Sequence, residues 1–330
     1  MSRYARQEML PEIGAYGQAK LAATHALVVG AGGLAAPVLP YLVGAGVGRI
    51  TLVDPDVVSL SNLHRQVLFS ETDIGQPKAR VAAEALHALN AEAMVTPIAK
   101  ALTPSNAADM VNGADIVLDC ADSFAASYIL SDSCLAANTP LISASVLGFE
   151  GYVGGFCATA PSLRAVFPDL PARAATCATA GVMGPVVGTL GAMQAQMALS
   201  TILNLDPSPL GQLMMVNMRD FRTSGFRFDG AAESSASLSF IAADSITRDD
   251  FVVELRGTDE APTPVTENAL RLDLASFQTD PITPATGQRA VLTCRSGLRA
   301  WQAARALQDR WSGDISLIAM GDPAPTKKRQ

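Results

Sequence analysis

Cysteine, histidine, aromatic rings and surplus positive charge are all scarce in this 330-residue chain. Its five cysteines, Cys120, Cys134, Cys157, Cys177 and Cys294, are too few for a disulfide scaffold, and the odd count leaves at least one thiol unpaired. A reducing, cytoplasmic compartment is the expectation. The three histidines, His25, His64 and His87, are scattered, and no CxxC pair occurs to build a zinc site. Lys and Arg number 24 against 31 Asp and Glu, a net charge of -7, so the basic field that draws nucleic acid or anionic lipid is missing. The opening MSRYARQEMLPEIG has no apolar signal core, so no export is expected.

What the chain has is apolar bulk. Hydrophobic residues make up 49% and charged residues 17%, with a mean hydropathy of +0.24, which excludes intrinsic disorder and suits a buried parallel sheet. The length fits about two domains. Residues 26–48 and 174–205 reach the length of a membrane span. The first is broken by glycines and by Pro37 and Pro40, and the second carries Gln194 and Gln196, so they read as strand, turn and buried helix, and as a loop entering a core helix. No membrane span is expected.

The apolar run ALVV at 26–29, a glycine turn, an apolar helix and RITLVD at 49–54 make a βαβ beginning. A helix at 77–90, a strand at 95–99, a helix at 104–112 and the strand ADIVLDCAD continue the alternation, and PLISASV and GYVGGFCAT follow. The pattern predicts a doubly wound, Rossmann-like, mostly parallel α/β domain over 1–228. A small, polar linker is expected from 229, within 229–248, and a smaller α/β unit over 249–330 with strands FVVEL, RAVLTC and ISLIAM and a helix at 296–311.

GAGGLAAP follows an apolar strand and opens a helix, the setting in which glycines let a phosphate meet unpaired N–H groups and a positive dipole end. Gly30 allows the sharp turn, Gly32 and Gly33 the close approach, and Asp54 closes the second strand where a carboxylate can take ribose hydroxyls. NLHRQ then supplies Asn62, Arg65 and Gln66, and GQPKA supplies Lys78. Two cations near a phosphate turn exceed what a dinucleotide needs and suit a triphosphate whose cleavage builds negative charge. No GxxxxGK[ST] string occurs, which excludes a Walker-type ATPase. Asp122 ends LDCAD at the carboxyl edge of the sheet, placed to hold Mg²⁺ beside the phosphates. Cys120 and Cys134 fall in apolar runs and read as core.

RYARQ at 3–7, GAGGL at 30–34, GAGVGRITLVDPDVVSLSNLHRQVLF at 44–69, GQPKA at 75–79, LDCAD at 118–122 and AGVMGPVVGTLGAMQA at 180–195 resemble the ThiF/MoeB/HesA family. These relatives of ubiquitin-activating enzymes adenylate the C-terminal glycine of a ubiquitin-like sulfur carrier. The resemblance implies ATP and Mg²⁺, with Gly30, Gly32, Gly33 and Asp54 on the nucleotide, Asn62, Arg65, Gln66 and Lys78 on its phosphates, and Asp122 on the metal. It implies a homodimer in which Arg6 reaches the partner's γ-phosphate. It also implies a sulfur donor such as a cysteine desulfurase, and a reactive Cys177 in RAATCATAGVMG, with Arg173 near it in sequence. PLISASVLGFEG and GPVVG are nearer to activators of the thiamine-pathway carrier ThiS than to activators of MoaD.

Three features depart from or extend that pattern. Ser162 and Ala165 stand where relatives carry the first zinc cysteines, so zinc is not expected. Ser127 and Ser131 replace a usual Arg and Asn of the phosphate cage. CRSGLR at 294–299 follows a strand and opens a helix, resembling the active loop of rhodanese-like sulfurtransferases. Its successive N–H groups, with Arg295 and Arg299, are expected to cradle a Cys294 thiolate, and Glu254 stands where that fold usually carries Asp. A degenerate, noncatalytic version of that fold is the alternative. The competing readings of the whole are a MoeB-like activator of MoaD, a noncatalytic carrier-binding relative, and a nicotinamide oxidoreductase that leaves NLHRQ and Lys78 idle.

Overall fold

A computed structural model describes residues 2–170, 181–234, 238–279 and 282–321. After short helices α1 (Ala5–Glu8) and α2 (Gly14–Ala23), the chain alternates β1 (His25–Val29), α3 (Ala35–Ala45), β2 (Arg49–Val53), α4 (Lys78–Leu89), β3 (Met94–Ile98), α5 (Pro104–Asn112), β4 (Ile116–Asp119), α6 (Phe124–Ala137) and β5 (Leu141–Leu147). β1 and β4 are near-continuous buried aliphatic runs, as strands covered by helices on both faces must be. Thr103 and Asn106 form a capping box with Pro104 at the first position of α5, which fixes that helix start.

β6 (Glu150–Phe156), α7 (Leu163–Val166), α8 (Gly184–Leu203), β7 (Gln212–Asn217) and β8 (Arg222–Arg227) complete the first unit. Its sheet runs in the order β3-β2-β1-β4-β5-β6-β7-β8, parallel as far as β5 and antiparallel beyond. Among the described residues α8 is the helix long and apolar enough to cross a membrane. It packs on α3, β5 and β6, and its Gln194 donates to the carbonyls of Asp119 and Ile142 at 2.7 and 2.9 Å.

The second unit is an all-parallel sheet in the order β11-β10-β12-β13-β9. Its elements are β9 (Ser239–Phe240), β10 (Phe251–Glu254), β11 (Leu270–Arg271), α9 (Leu274–Thr279), β12 (Ala290–Cys294), α10 (Leu298–Gln308) and β13 (Ile315–Ala319). The doubly wound sheet and the smaller α/β sheet are as expected from sequence. The segment at 229–248 is not a plain linker. Glu233 accepts from the N–H and hydroxyl of Ser162 in the first unit, and β9 lies inside the second sheet. A two-residue strand carries no periodic signal, which is why composition alone read it as a connector.

Candidate functional site

The phosphate turn sits at the carboxyl ends of the neighbouring strands β1 and β4, from which the chain continues in opposite directions along the sheet, to β2 and to β5, a point that opens a crevice. Gly30 has φ +96°, and a Cβ there would stand 2.5 Å from the Cys120 carbonyl oxygen. A Cβ on Gly33 would meet Val187 at 2.7 Å and the Arg65 side chain at 3.3 Å. The glycines therefore let the turn fit between the β4 loop, α8 and the Arg65 segment. The N-cap of α3, Leu34, offers no side-chain hydrogen bond; Ala36 N–H is taken by the Gly32 carbonyl, and the earlier N–H groups of the turn, with the positive dipole end, face a ligand.

Asp54 is buried, and its carboxylate accepts from Ala31 N–H at 2.6 Å and Asp56 N–H at 2.7 Å. Burial pushes its pKa up against the opposing pull of Lys78 and of those two N–H groups. Its first task is thus to lock the glycine turn. Lys78 opens α4 and is buried, with its ammonium 2.9 Å from the exposed carboxylate of Asp56. Sequence reasoning missed this partner, which neutralises the ammonium on the solvent side.

NLHRQ folds back over the turn. Asn62 accepts from the Ser59 hydroxyl at 2.9 Å, and Arg65 bonds the Ser61 carbonyl at 3.3 Å and the His64 ring nitrogen Nε2 at 2.8 Å. Gln66 is buried and its Oε1 has no hydrogen-bond partner among the described residues, while its amide nitrogen lies 3.6 Å from where a Gly32 Cβ would stand. The orphaned acceptor suits a donor such as a ribose hydroxyl, while a phosphate, itself an acceptor, would take the N–H groups of the turn, Arg65 and the Gln66 amide nitrogen. The residues present fit a nucleotide phosphate.

Asp122 is exposed just past β4, and as a single carboxylate it would share Mg²⁺ with phosphate oxygens and water. Its neighbour Asp119, which sequence reasoning passed over, is fully buried. Burial pushes its pKa up to about 6 against hydrogen bonds from Ser127, Ser143 and Ala121 N–H. Its only sequence signal is an acid at the end of a strand otherwise buried throughout. Ser131 is buried and accepts from Leu163 N–H, so it serves the first unit's core and no phosphate.

Arg6 is not brought to this site within its own chain. Gln7 of α1 donates to the Ala45 carbonyl at the far end of α3, about 16 Å of helix from the phosphate turn. Cys177 and Arg173 lie outside the described residues. Ser162 and Ala165 do not fit zinc, because Ser162 is spent on Glu233. Cys120 and Cys134 are buried as expected, and burial raises both thiols' pKa values.

Cys294 ends the central strand of the second sheet, fully buried, and its sulfur accepts from Gly297 N–H at 3.2 Å and Ala300 N–H at 3.4 Å. Of the ring of six successive N–H groups expected, those of Gly297 and Ala300 reach the sulfur. Arg299 departs from expectation: its guanidinium donates to the Leu255 carbonyl and to both oxygens of Glu260, at 2.6 and 2.7 Å. Its charge is matched by Glu260, for which no spacing gave a signal. Glu254 is buried and grips Arg256. Burial pulls its pKa upward, but the bonds from Arg256 and from Val265 N–H outweigh that and leave it low.

The ThiF family profile matches residues 4–236. The chain is 48% identical over 230 residues to the bovine (Bos taurus) "Adenylyltransferase and sulfurtransferase MOCS3", a match covering 67% of this chain and 50% of that protein. The chain therefore spans about half the length of the MOCS3 relatives it matches. It is 42% identical over 217 residues to the Escherichia coli K12 "Sulfur carrier protein ThiS adenylyltransferase", covering 64% of this chain and 85% of that one. Similarity to the Haloferax volcanii "SAMP-activating enzyme E1" is 34% over 261 residues, 76% of this chain and 97% of that protein. In fold it is similar to crystal structures of E. coli MccB, at a TM-score of 0.62 and 23% identity over 71% of this chain and 75% of MccB. With the profile spanning most of the chain, and the phosphate turn, NLHRQ and Lys78 gathered at one sheet edge, the chain belongs to the ThiF family.

Proposed function

We propose that this protein uses ATP to adenylate the C-terminal carboxylate of a ubiquitin-like sulfur carrier protein ending in Gly-Gly, releasing pyrophosphate. The observation that carries the reading is the glycine turn into the start of α3, faced by the Arg65 side chain and the Gln66 amide nitrogen. A carboxylate oxygen attacks the α-phosphorus of ATP, the bond to the β-phosphate oxygen breaks, and pyrophosphate leaves with the electron pair. Charge grows on the leaving phosphates, where Arg65 and Lys78 counter it. Mg²⁺ held by Asp122 would neutralise the same oxygens. Carboxylate oxygen is a poor leaving group, whereas AMP departs readily, so the adenylate prepares the carbonyl carbon for sulfur.

The carrier we favour is ThiS-like, of the thiamine thiazole pathway, and the E. coli ThiS adenylyltransferase is a relative by name. A MoaD-like carrier is the second reading, since the MOCS3 proteins match at similar strength. Arg6, remote from the site of its own chain, would act on the nucleotide of a partner in a homodimer. Cys294 would carry the sulfur, received from a donor of the cysteine desulfurase class. We place the reaction in the cytoplasm, with neither nucleic acid nor membrane as partner. The test is ATP–pyrophosphate exchange dependent on added carrier. Exchange with ThiS and not MoaD supports the first reading and the reverse the second, while no exchange with either overturns the enzyme assignment.

A further inference from the structure

Two buried acids flank the strand that leads into the phosphate turn. β1 lies between β2 and β4, and Val29 at its end is level with Val53 on one side and Asp119 on the other. Asp54, the residue after β2, takes Ala31 N–H of the glycine turn and, two residues on from itself, Asp56 N–H. Asp119, the last residue of β4, makes the matching arrangement. Its Oδ1 accepts from Ala121 N–H, again two residues on, at 3.2 Å, and its Oδ2 from the Ser143 hydroxyl of β5 at 2.8 Å. Each acid holds one turn. The two turns touch, because a Cβ on Gly30 would stand 2.5 Å from the Cys120 carbonyl oxygen and 2.9 Å from the Ala121 nitrogen.

The turn that Asp119 holds ends in Asp122, directly before Ser123, the N-cap of α6. Ala121 is the residue before Asp122, so its bond to Asp119 fixes the backbone from which the Asp122 carboxylate projects. The Ser127 hydroxyl of α6 also bonds the Asp119 carboxylate, and Gln194 of α8 takes the Asp119 carbonyl at 2.7 Å. β4, β5, α6 and α8 therefore all anchor on one residue. No cation pairs with it among the described residues, and the titratable groups around it are Cys120, Cys134, Tyr152 and Asp122. Burial pushes its pKa up to about 6, so at neutral pH the carboxylate lowers the stability of the fold. An apolar residue would fill the place at less cost, but could not accept from Ala121, Ser127 and Ser143 together. Packing does not account for an acid there, and the geometry of the turn does.

We propose that Asp119 is the positioning residue for Asp122, holding the 120–122 turn so that the Asp122 carboxylate is aimed at the Mg²⁺ it would share with the nucleotide phosphates. The inference rests on the adenylation reading and on Asp122 as the metal arm, and adds the residue that aims it. Asp119 is fully buried, so it acts through the turn and touches neither metal nor nucleotide. The glycine turn has its own lock in Asp54 and in the bond from Gly30 N–H to the Val53 carbonyl. Loss of Asp119 should therefore be felt in the contribution of the metal to ATP binding, while the grip of the glycine turn on metal-free ATP persists.

The test is the ATP affinity of the full-length protein by calorimetry, measured once with Mg²⁺ and once with EDTA, the ratio of the two being the gain due to the metal. Asp119→Ala should lower that gain about tenfold, as loss of a residue that orients a metal ligand does, with affinity in EDTA unchanged. Asp119→Asn keeps an oxygen for Ala121 N–H and should restore the gain to within about threefold of wild type. Ser143→Ala removes one donor, leaves the acid in place, and should lower the gain by about threefold, which keeps the test open should Asp119→Ala fail to fold. A gain left intact by both Asp119→Ala and Ser143→Ala overturns the inference. So does an equal loss with Mg²⁺ and with EDTA, which marks a merely structural residue, or an Asp119→Asn chain as impaired as Asp119→Ala. Failure of the reading beneath looks different: a wild-type protein that binds no ATP in either buffer removes the adenylation reading, and an Asp122→Ala chain that keeps the gain removes the metal arm.

Discussion

Two turns in this molecule use the same physics for different ends. At the first, β1 runs through Gly30 into α3; at the second, β12 runs through Cys294 into α10. Each ends a central parallel strand at the start of a helix, where backbone N–H groups converge. In the first no side chain caps the helix start, the nearby guanidinium of Arg65 rests on the Ser61 carbonyl and the His64 ring, and the buried Gln66 oxygen has no partner among the described residues. In the second the nest is already filled by the chain's own sulfur, and Arg299 is matched to Glu260. The first is built to receive an outside anion and the second to hold the chain's own sulfur.

The largest effect expected is on the first turn. Arg65→Ala should lower kcat/KM for pyrophosphate exchange by about a thousandfold, as loss of a charge-stabilising donor does. Exchange within threefold of wild type would mean that the open turn is not the phosphate site. Stability against pH probes the same edge. The native pKa of Asp119, near 6, lies above the unfolded value of 3.8, so the folded state holds the extra proton and stability falls as pH rises from about 4 to 6. The group accounts for about 3 kcal/mol across that window. Asp119→Asn should flatten this slope in urea titrations at pH 4.5 and 7, and an unaltered slope would assign it elsewhere.

Gly30→Ala meets both a positive φ and a carbonyl 2.5 Å away. A cost of about 2 kcal/mol or more and weakened ATP binding by calorimetry are expected. Gly297→Ala has φ +87° and meets the Phe240 ring at 2.7 Å, so it should destabilise comparably while spectroscopic ATP affinity stays at wild type. Equal damage to ATP binding by both variants would erase the distinction between the turns. The smallest effect concerns Glu260→Gln, which releases the Arg299 charge. Iodoacetamide labelling of Cys294, mapped by mass spectrometry, should quicken about fivefold with pyrophosphate exchange unaltered.

Much of the first unit was legible because its signals are local. The helix at 104–112 coincides with α5, since Thr103, Pro104 and Asn106 announce their own cap. The helix at 77–90 lies within one residue of α4 at either end. Glycines, NLHRQ and Lys78 were readable because a tight turn followed by a helix demands those residue types in that order. The second unit's helix, expected over 296–311, begins at Leu298 and ends at Gln308, because its ends bear no side-chain cap to mark them. Asp56, Asp119, Glu233 and Glu260 escaped notice: an acid has no sequence mark until the cation, hydroxyl or N–H it faces is known.

Sequence by itself decided the alternation of strands and helices, the phosphate turn and the family, since periodicity and turn chemistry act over a few residues. Tertiary structure alone decided that Lys78 leans on Asp56, that Arg6 lies a helix length from its own phosphate turn, and that the second sheet shares a core with α6. Those facts depend on which distant surfaces meet, and burial of apolar side chains rewards many pairings equally until the whole chain has packed.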